Sequence, residues 1–263
     1  MLRDITLGQY YPAESVIHRL DPRTKFLGTL VFIVALFLFK TFWGFLLCGG
    51  FIICVTALAK LPIKFLIKGM RPILFLLLFM MIFNLLLTPG EIIGEWWIFR
   101  VTKEGIYAAL FMGLRLIMLV FGSSIMTYTT TPNKLTSAME SVFGFLKIFK
   151  VPVHEMAMMI SIALRFIPIL LEETNKIMKA QQARGADFET GGLIKRAKAL
   201  VPILIPLFVS AFRRAEELAE AMEARCYHGG KGRTKMKPLK YHLRDLAAYL
   251  LLAGLVVGCV FIP

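Results

Sequence analysis

The stretch FLGTLVFIVALFLFKTFWGFLLCGGFIICVTALA, residues 26–59, decides the fold class of this chain. Lys40 is its only charged residue. As one continuous helix the stretch would be about 50 Å long, whereas the hydrocarbon core of a bilayer is about 30 Å thick. We therefore expect the chain to turn back near Lys40 and Thr41 and to form two short membrane-spanning helices, at about 24–40 and 42–59.

The composition of the whole chain agrees with a membrane protein. Hydrophobic residues make up 57% of the 263 residues, and the mean hydropathy is +0.70, beyond the roughly half apolar content of soluble domains. Three more apolar stretches predict spans at about 72–87, 105–129 and 243–262. The first of these should end at Thr88-Pro89-Gly90, because proline and glycine terminate helices.

Basic residues flank the predicted spans unevenly and indicate their orientation. The chain has a net charge of +14, and lysine and arginine are enriched in loops on the cytoplasmic side. We therefore expect a cytoplasmic N-terminus without a cleaved signal peptide, and an outer loop at 88–104 in which Trp96-Trp97 resembles an interfacial anchor. The basic residues are Arg19, Arg23 and Lys25 before the first span, and Lys60, Lys64, Lys68 and Arg71 between the second and third.

The segment between the last two spans has a mixed charge and predicts a cytoplasmic domain. We expect the chain to divide into residues 1–130 with four spans, a domain of helices at 131–242, and a last span at 243–263. Two segments of this domain, 156–171 and 199–212, are apolar enough to be further spans. Arg165, Pro168, Pro202 and Pro206 interrupt them, which favours amphipathic helices along the membrane face and leaves the spanning alternative open.

Two short motifs predict where helices begin. Asp21-Pro22 precedes the first span, and Thr131-Pro132 follows the fourth. In both, a residue type favoured as an N-cap comes directly before a proline, whose fixed φ suits the first helical position. These motifs have a sufficient structural explanation and carry no functional information alone.

An internal repeat within the predicted cytoplasmic domain is more informative. Residues 180–184 read Ala-Gln-Gln-Ala-Arg and residues 221–225 read Ala-Met-Glu-Ala-Arg. In each copy the two alanines fall near one helix face and the arginine follows, with Gly185 or Cys226 behind it. One arginine near a helix end is often only a favourable charge on the helix dipole. Two copies suggest two similar docking sites, because a guanidinium can pair bidentately with a carboxylate.

With this repeat, the chain resembles the transmembrane (T) component of energy-coupling-factor (ECF) transporters, whose signature is a pair of Ala-Arg-Gly motifs at the tips of coupling helices. Residues 15–25, Thr131-Pro132, residues 164–168 and Arg214-Ala215 are also similar to that family. The resemblance extends over nearly the whole chain. It departs at Cys226, where the family has glycine, which leaves open whether the second tip turns in the same way.

The resemblance implies an all-α membrane protein with about five transmembrane helices and a cytoplasmic or interfacial domain of long amphipathic coupling helices. It implies a multi-pass bacterial cell-membrane protein that joins two cytoplasmic P-loop ATPases to a small substrate-binding (S) membrane subunit, for uptake of vitamins or other micronutrients. It gives the chain no catalytic site, metal or cofactor, because the partner ATPases would bind ATP and Mg²⁺. Implied ATPase-docking residues are Ala183, Arg184, Gly185, Ala224, Arg225 and Cys226; implied S-subunit contacts are Met158, Ile162, Leu204 and Phe208.

Other functions find less support in the residues. An ion-coupled transporter places ionisable residues near the membrane midplane. Arg115 and Asn84 stand out within the predicted spans, and Arg115 is more typical of a helix contact. A membrane enzyme or zinc site needs clustered ligands, and the four histidines and four cysteines are dispersed. The chain also has no GxxxxGK[ST] loop; residues 229–233 are more typical of a basic linker.

Overall fold

The computed structural model describes residues 10–96, 99–186, 188, 192–230, 234, 236 and 238–262. Eight α-helices account for most of the described chain, and a 3₁₀ helix and one short antiparallel hairpin complete it. The helices are α1 (Pro22–Leu38), α2 (Phe42–Ala59), α3 (Ile63–Leu87), α4 (Lys103–Thr129), α5 (Pro132–Val142), α6 (Val153–Ala183), α7 (Leu193–Ala224) and α8 (Leu243–Phe261); the 3₁₀ helix is Phe143–Phe149 and the strands are β1 (Ile92–Trp96) and β2 (Phe99–Thr102).

The sequence signals for helix ends are confirmed. α1 begins at Pro22, and the Asp21 carboxylate accepts a hydrogen bond from the Arg23 N–H at 2.8 Å. α1 ends at Leu38 and α2 begins at Phe42, so the chain turns at Lys40 as expected. α5 begins at Pro132, and α3 ends immediately before Thr88.

Two predicted elements differ in the structure. α3 begins at Ile63 and includes Pro72; one proline removes a single hydrogen bond, and the helical stretch continues on both sides of it. Within the segment expected to be a loop, 88–104, β1 pairs with β2, with Trp96 opposite Phe99. Thr102 then caps α4 by accepting from the Gly105 N–H at 3.0 Å. The aromatic anchor predicted at Trp96-Trp97 lies outside the described side chains.

Five helices of the described residues are long and apolar enough to cross a membrane: α2, the Gly69–Leu87 part of α3, α4, α6 and α8. Four of them coincide with predicted spans. The remaining predicted span, α1, is not among these five helices. It has 17 residues and is about 26 Å long, slightly less than the thickness of the bilayer core. α6 qualifies by length and composition although its apolar part was expected to lie along the membrane face.

The chain forms two compact units. One contains Glu140–Pro238 and thus α6 and α7; the other contains the described residues of Gly8–Met139 and Leu239–Pro263. In the second unit α1 packs on α4 and α8, while α4 also packs on α2 and α3. The rings of Phe39 and Phe45 lie 4.9 Å apart and those of Phe45 and Phe111 lie 4.7 Å apart, so aromatic packing closes the end of this bundle where α1 turns into α2.

Buried polar contacts join the start of α8 to the start of α1. Asp245 is 1% exposed, and its two carboxylate oxygens accept from the backbone N–H groups of Asp21 and His242, both at 2.8 Å. The Arg23 guanidinium donates to the Leu239 carbonyl at 3.0 Å. Because unpaired buried charges are costly, these bonds favour one arrangement of the two helix ends.

Candidate functional site

The first copy of the repeat forms the C-terminal tip of α6. The helix ends at Ala183, and Gly185 adopts a left-handed conformation with φ of +89°. The Gly185 N–H donates to the Gln182 carbonyl at 2.9 Å and the Ala186 N–H donates to the Gln181 carbonyl at 3.0 Å. This pair of bonds is a Schellman motif, which satisfies the last carbonyls and reverses the chain directly after Arg184.

The second copy forms the same turn at the end of α7. Cys226 has a φ of +54°, its N–H donates to the Glu223 carbonyl at 2.8 Å, and the Tyr227 N–H donates to the Met222 carbonyl at 3.0 Å. The second tip therefore turns in the same way as the first, although cysteine replaces glycine. Cys226 occupies the left-handed position, and the hydrogen-bond pattern is the same as at Gly185.

Both arginines are exposed on these tips. Arg184 and Arg225 each follow the last residue of their helix, and Ala183 and Ala224 beside them are also exposed. Among the described residues neither guanidinium has a hydrogen bond or an ion pair. The side chains are thus not used to cap the helix carbonyls, which the backbone turns already satisfy, and each presents its five donors outward.

An ion pair joins α6 and α7 at the same distance from each tip. Arg214 Nη2 lies 2.7 Å from Glu173 Oε2, and the Ser210 hydroxyl donates to Glu173 Oε1 at 2.8 Å. Each member of the pair is about 11 residues before the arginine of its own helix (173 to 184, 214 to 225). Each helix therefore extends about 16 Å from this contact to its tip.

This ion pair was not recognised in the sequence. The available signal was that Glu173 and Arg214 occupy equivalent positions relative to the two copies of the repeat. Opposite charges at equivalent positions of duplicated helices are suited to a contact between them. That contact could not be deduced without knowing that α6 and α7 pack together.

The four residues expected to contact a membrane subunit differ in exposure. Leu204 and Phe208 are 47% and 61% exposed, whereas Met158 and Ile162 are half-buried. On α7 the exposed apolar side chains recur at helical spacing and form one stripe: Leu200, Val201, Leu204, Ile205, Phe208, Val209 and Phe212. On α6 the corresponding exposed side chains are Met156, Met159 and Ile160, so the apolar surface there lies beside the predicted residues.

Arg115 and Asn84 have structural partners. The Arg115 guanidinium donates to the Phe39 carbonyl at 3.1 Å and lies over the rings of Phe37 and Phe111, at 5.0 and 4.8 Å from their centroids. It therefore satisfies the end of α1, where a cation is favoured by the helix dipole. The Asn84 amide donates to the Met80 carbonyl of its own helix. These contacts match the helix-contact interpretation of Arg115.

His18 and His154 take part in local hydrogen bonds. The carbonyl of Tyr11 can only accept, so His18 Nε2 donates to it at 3.0 Å and His18 Nδ1 accepts from the Ser15 hydroxyl at 2.7 Å. Burial lowers the pKa of His18, which favours this neutral form. His154 pairs with Glu140 at 2.8 Å. In the described part of the chain no group of three His, Cys, Asp or Glu residues could hold a metal ion.

The fold and the tips define a class: a polytopic α-helical membrane protein in which two packed helices expose matching arginine tips. The family model of the cobalt transport protein CbiQ matches residues 13–236. Proteins named energy-coupling factor transporter transmembrane protein EcfT are similar over nearly the full length. That of Ruminiclostridium cellulolyticum is 52% identical over 94% of this chain and 92% of its own, and that of Thermosediminibacter oceani is 50% identical over 98% of both chains.

The protein of the same name from Bacillus subtilis is 46% identical over 97% of this chain and 98% of its own. The chain belongs to this family of energy-coupling factor transporter transmembrane proteins. It is therefore a transmembrane component of a multi-subunit transporter.

Proposed function

We propose that this chain couples ATP hydrolysis by two cytoplasmic P-loop ATPase subunits to the reorientation of a substrate-binding membrane subunit, for uptake of vitamins or other micronutrients. The observation that carries the proposal is the pair of matching tips. Each tip exposes an arginine that has no partner among the described residues, and the same pattern of backbone hydrogen bonds turns the chain directly after it. Two equivalent tips suit a pair of similar partner subunits, each offering a cleft with a carboxylate.

The ion pair between α6 and α7 supports a mechanical role. Glu173 and Arg214 hold the two helices together about 16 Å from either tip. A displacement of the tips by the ATPase pair would be transmitted along rigid helices to the rest of this unit. ATP and Mg²⁺ would be bound by the partners, because this chain has no P-loop sequence.

The exposed apolar stripe of α7 supports a contact with the membrane subunit. In this proposal Leu204 and Phe208 lie at the centre of the contact. Met158 and Ile162 would join the contact if α6 rotates about its own axis and exposes them. An apolar, weakly directional surface permits sliding, because it contains no hydrogen bonds that would fix one register. The unit with α6 and α7 lies on the cytoplasmic side, as does the N-terminus.

The test is charge reversal at the tips. We expect the Arg184→Glu/Arg225→Glu double variant to recover at least tenfold less ATPase when the tagged chain is purified from cells that co-express the complex, because reversal brings a carboxylate against a carboxylate. Membrane insertion should not change, since both side chains are exposed. Arg244→Glu, which reverses an exposed charge in the other unit, is the matched control. Unchanged ATPase recovery and substrate uptake in the double variant would contradict the proposal.

The partners themselves can be identified directly. The tagged chain would be purified in mild detergent from its native membranes, and the proteins that accompany it would be identified by mass spectrometry. We expect P-loop ATPases and a small polytopic membrane protein, whose identity would also give the substrate class. A chain recovered alone would favour a stand-alone transporter or a membrane enzyme instead.

A further inference from the structure

A cavity of about 180 Å³ lies among α1, α2, α4 and α8. Lys25 and Thr24 of α1 lie with Thr129 of α4 at one end, and Thr29 lies one turn further along α1. The opposite end is formed by Phe32 and Phe51, whose rings stack at 5.9 Å. From Lys25 to Phe32 the cavity follows α1 for about 10 Å. It is therefore a narrow apolar slot with a polar, cationic entrance.

The slot has an apolar rim that is exposed on the side of the bundle. Leu58 is 46% exposed and Leu251 is 65% exposed, and Cys54 beside them is also exposed. α1 packs mainly on α4 and α8 and only slightly on α2, which leaves the slot between them. On a membrane-spanning bundle such a rim faces acyl chains, so the slot is accessible from the bilayer.

Lys25 places its side-chain amino group at the entrance. Its ammonium donates to the carbonyls of His18 and Thr129, at 3.2 and 2.9 Å. A lysine ammonium has three donors, so one remains for a ligand. Lys134 adds a second positive charge to the electrostatic environment of Lys25. Asp21 and Asp245 also act on Lys25, but both are buried and accept from backbone N–H groups.

We propose that this slot binds one acyl chain of an anionic phospholipid whose headgroup lies against Lys25. The volume fits part of a chain, because an engineered apolar cavity of about 150 Å³ takes up benzene or xenon. The headgroup would remain at the entrance, where the third donor of Lys25 can pair with a phosphate oxygen. An acyl chain joined to an anionic headgroup matches both ends of the slot, and this inference does not depend on the proposed transport function.

The experiment measures lipid retained by the full chain. The protein would be placed in nanodiscs of equal parts phosphatidylglycerol and phosphatidylcholine, and native mass spectrometry would count the lipids that remain bound after release. We expect about one phospholipid per chain, with phosphatidylglycerol favoured about fivefold, the effect of roughly one basic side chain beside an anionic lipid. Equal retention of the two lipids, or none, would overturn the proposal.

Matched variants separate the chain contact from the charge contact. Val55→Phe fills the slot and should abolish the retained lipid, whereas Ile53→Phe adds the same ring at a position 71% exposed outside the slot and should change nothing. Lys25→Gln keeps a donor for the two carbonyls and should remove the preference for phosphatidylglycerol; Lys40→Gln removes a lysine charge at the other end of α1. If Val55→Phe retains lipid as Ile53→Phe does, the slot is not the site.

Discussion

Cys226 lies in a backbone conformation that usually requires glycine. Its φ of +54° brings the Cβ atom close to the backbone, at a cost of about 1–2 kcal/mol for a non-glycine residue. Gly185 occupies the equivalent position of the other tip at φ of +89° without this cost. The two tips have the same hydrogen-bond pattern, and we expect them to differ in local stability.

This difference predicts that Cys226→Gly makes the α7 tip more resistant to local opening. We expect the amide hydrogens of residues 226 and 227 to exchange about fivefold more slowly, since removing about 1 kcal/mol of strain shifts the opening equilibrium by that factor. Hydrogen exchange followed by mass spectrometry measures it. The reciprocal variant, Gly185→Cys, should accelerate exchange at residues 185 and 186. Equal rates before and after both substitutions would mean that the left-handed position has no cost here.

At the scale of elements, two glycines of α2 differ in how closely other atoms approach them. A Cβ atom at Gly44 would overlap the ring of Phe39, which is fully buried. A Cβ atom at Gly50 would meet nothing within 4 Å. Gly44 therefore permits the close turn from α1 into α2, and Gly50 has no such role.

We accordingly expect Gly44→Ala to destabilise the chain by about 1–3 kcal/mol, as overpacking of a filled core does. Gly50→Ala should be neutral or stabilise it by up to about 1 kcal/mol, because alanine is the better helix former. Thermal unfolding of the two variants in the same detergent provides the comparison. A similar midpoint for both would show that the α1–α2 turn can relax around the added methyl group.

The ion pair between α6 and α7 provides a second prediction at this scale. Glu173→Arg and Arg214→Glu each place like charges in contact, and the double variant with both substitutions restores opposite charges. Because the side chains are 26% and 36% exposed, we expect a coupling of about 1 kcal/mol rather than the value of a buried pair. Hydrogen exchange of peptides that cover residues 173 and 214 should rise in each single variant and fall in the double variant.

Lys179→Glu reverses an exposed charge on α6 outside the pair and serves as the control for this series. It should leave exchange at residues 173 and 214 unchanged. If the amide hydrogens of the double variant exchange as fast as those of the single variants, Ser210 and the helix packing, not the ion pair, hold the two helices together.

Local chemistry explains which elements were predictable. Asp21-Pro22 and Thr131-Pro132 identified helix starts, and the length of the 26–59 stretch required a turn at Lys40, because each signal depends on a few adjacent residues. The β1–β2 hairpin was missed, since its pairing depends on strand register. The arginine tips were predicted from the repeat in the sequence. The Glu173–Arg214 contact could not be predicted, because it depends on the packing of α6 against α7.

At the scale of the whole molecule, we propose that the tips of α6 and α7 both lie on the cytoplasmic side of the membrane. α6 is long and apolar enough to cross a bilayer, whereas an interfacial α6 would keep both tips on the cytoplasmic side. The two arrangements differ in one respect: if α6 and α7 both cross, residue 186 lies outside and residue 226 lies inside. If both lie along the membrane face, the two residues are on the same side.

Labelling with a membrane-impermeant maleimide distinguishes these arrangements. In a Cys226→Gly background we expect Ala186→Cys to be labelled only after the cells are permeabilised. In the unsubstituted chain, native Cys226, which is exposed, should behave in the same way. Glu91→Cys, at an exposed position of the predicted outer loop, should be labelled in intact cells and serves as the positive control. Labelling of Ala186→Cys in intact cells would place the first tip outside, where no cytoplasmic ATPase could reach Arg184. That result would contradict both the proposed coupling to ATPases and the position of α6 along the membrane face.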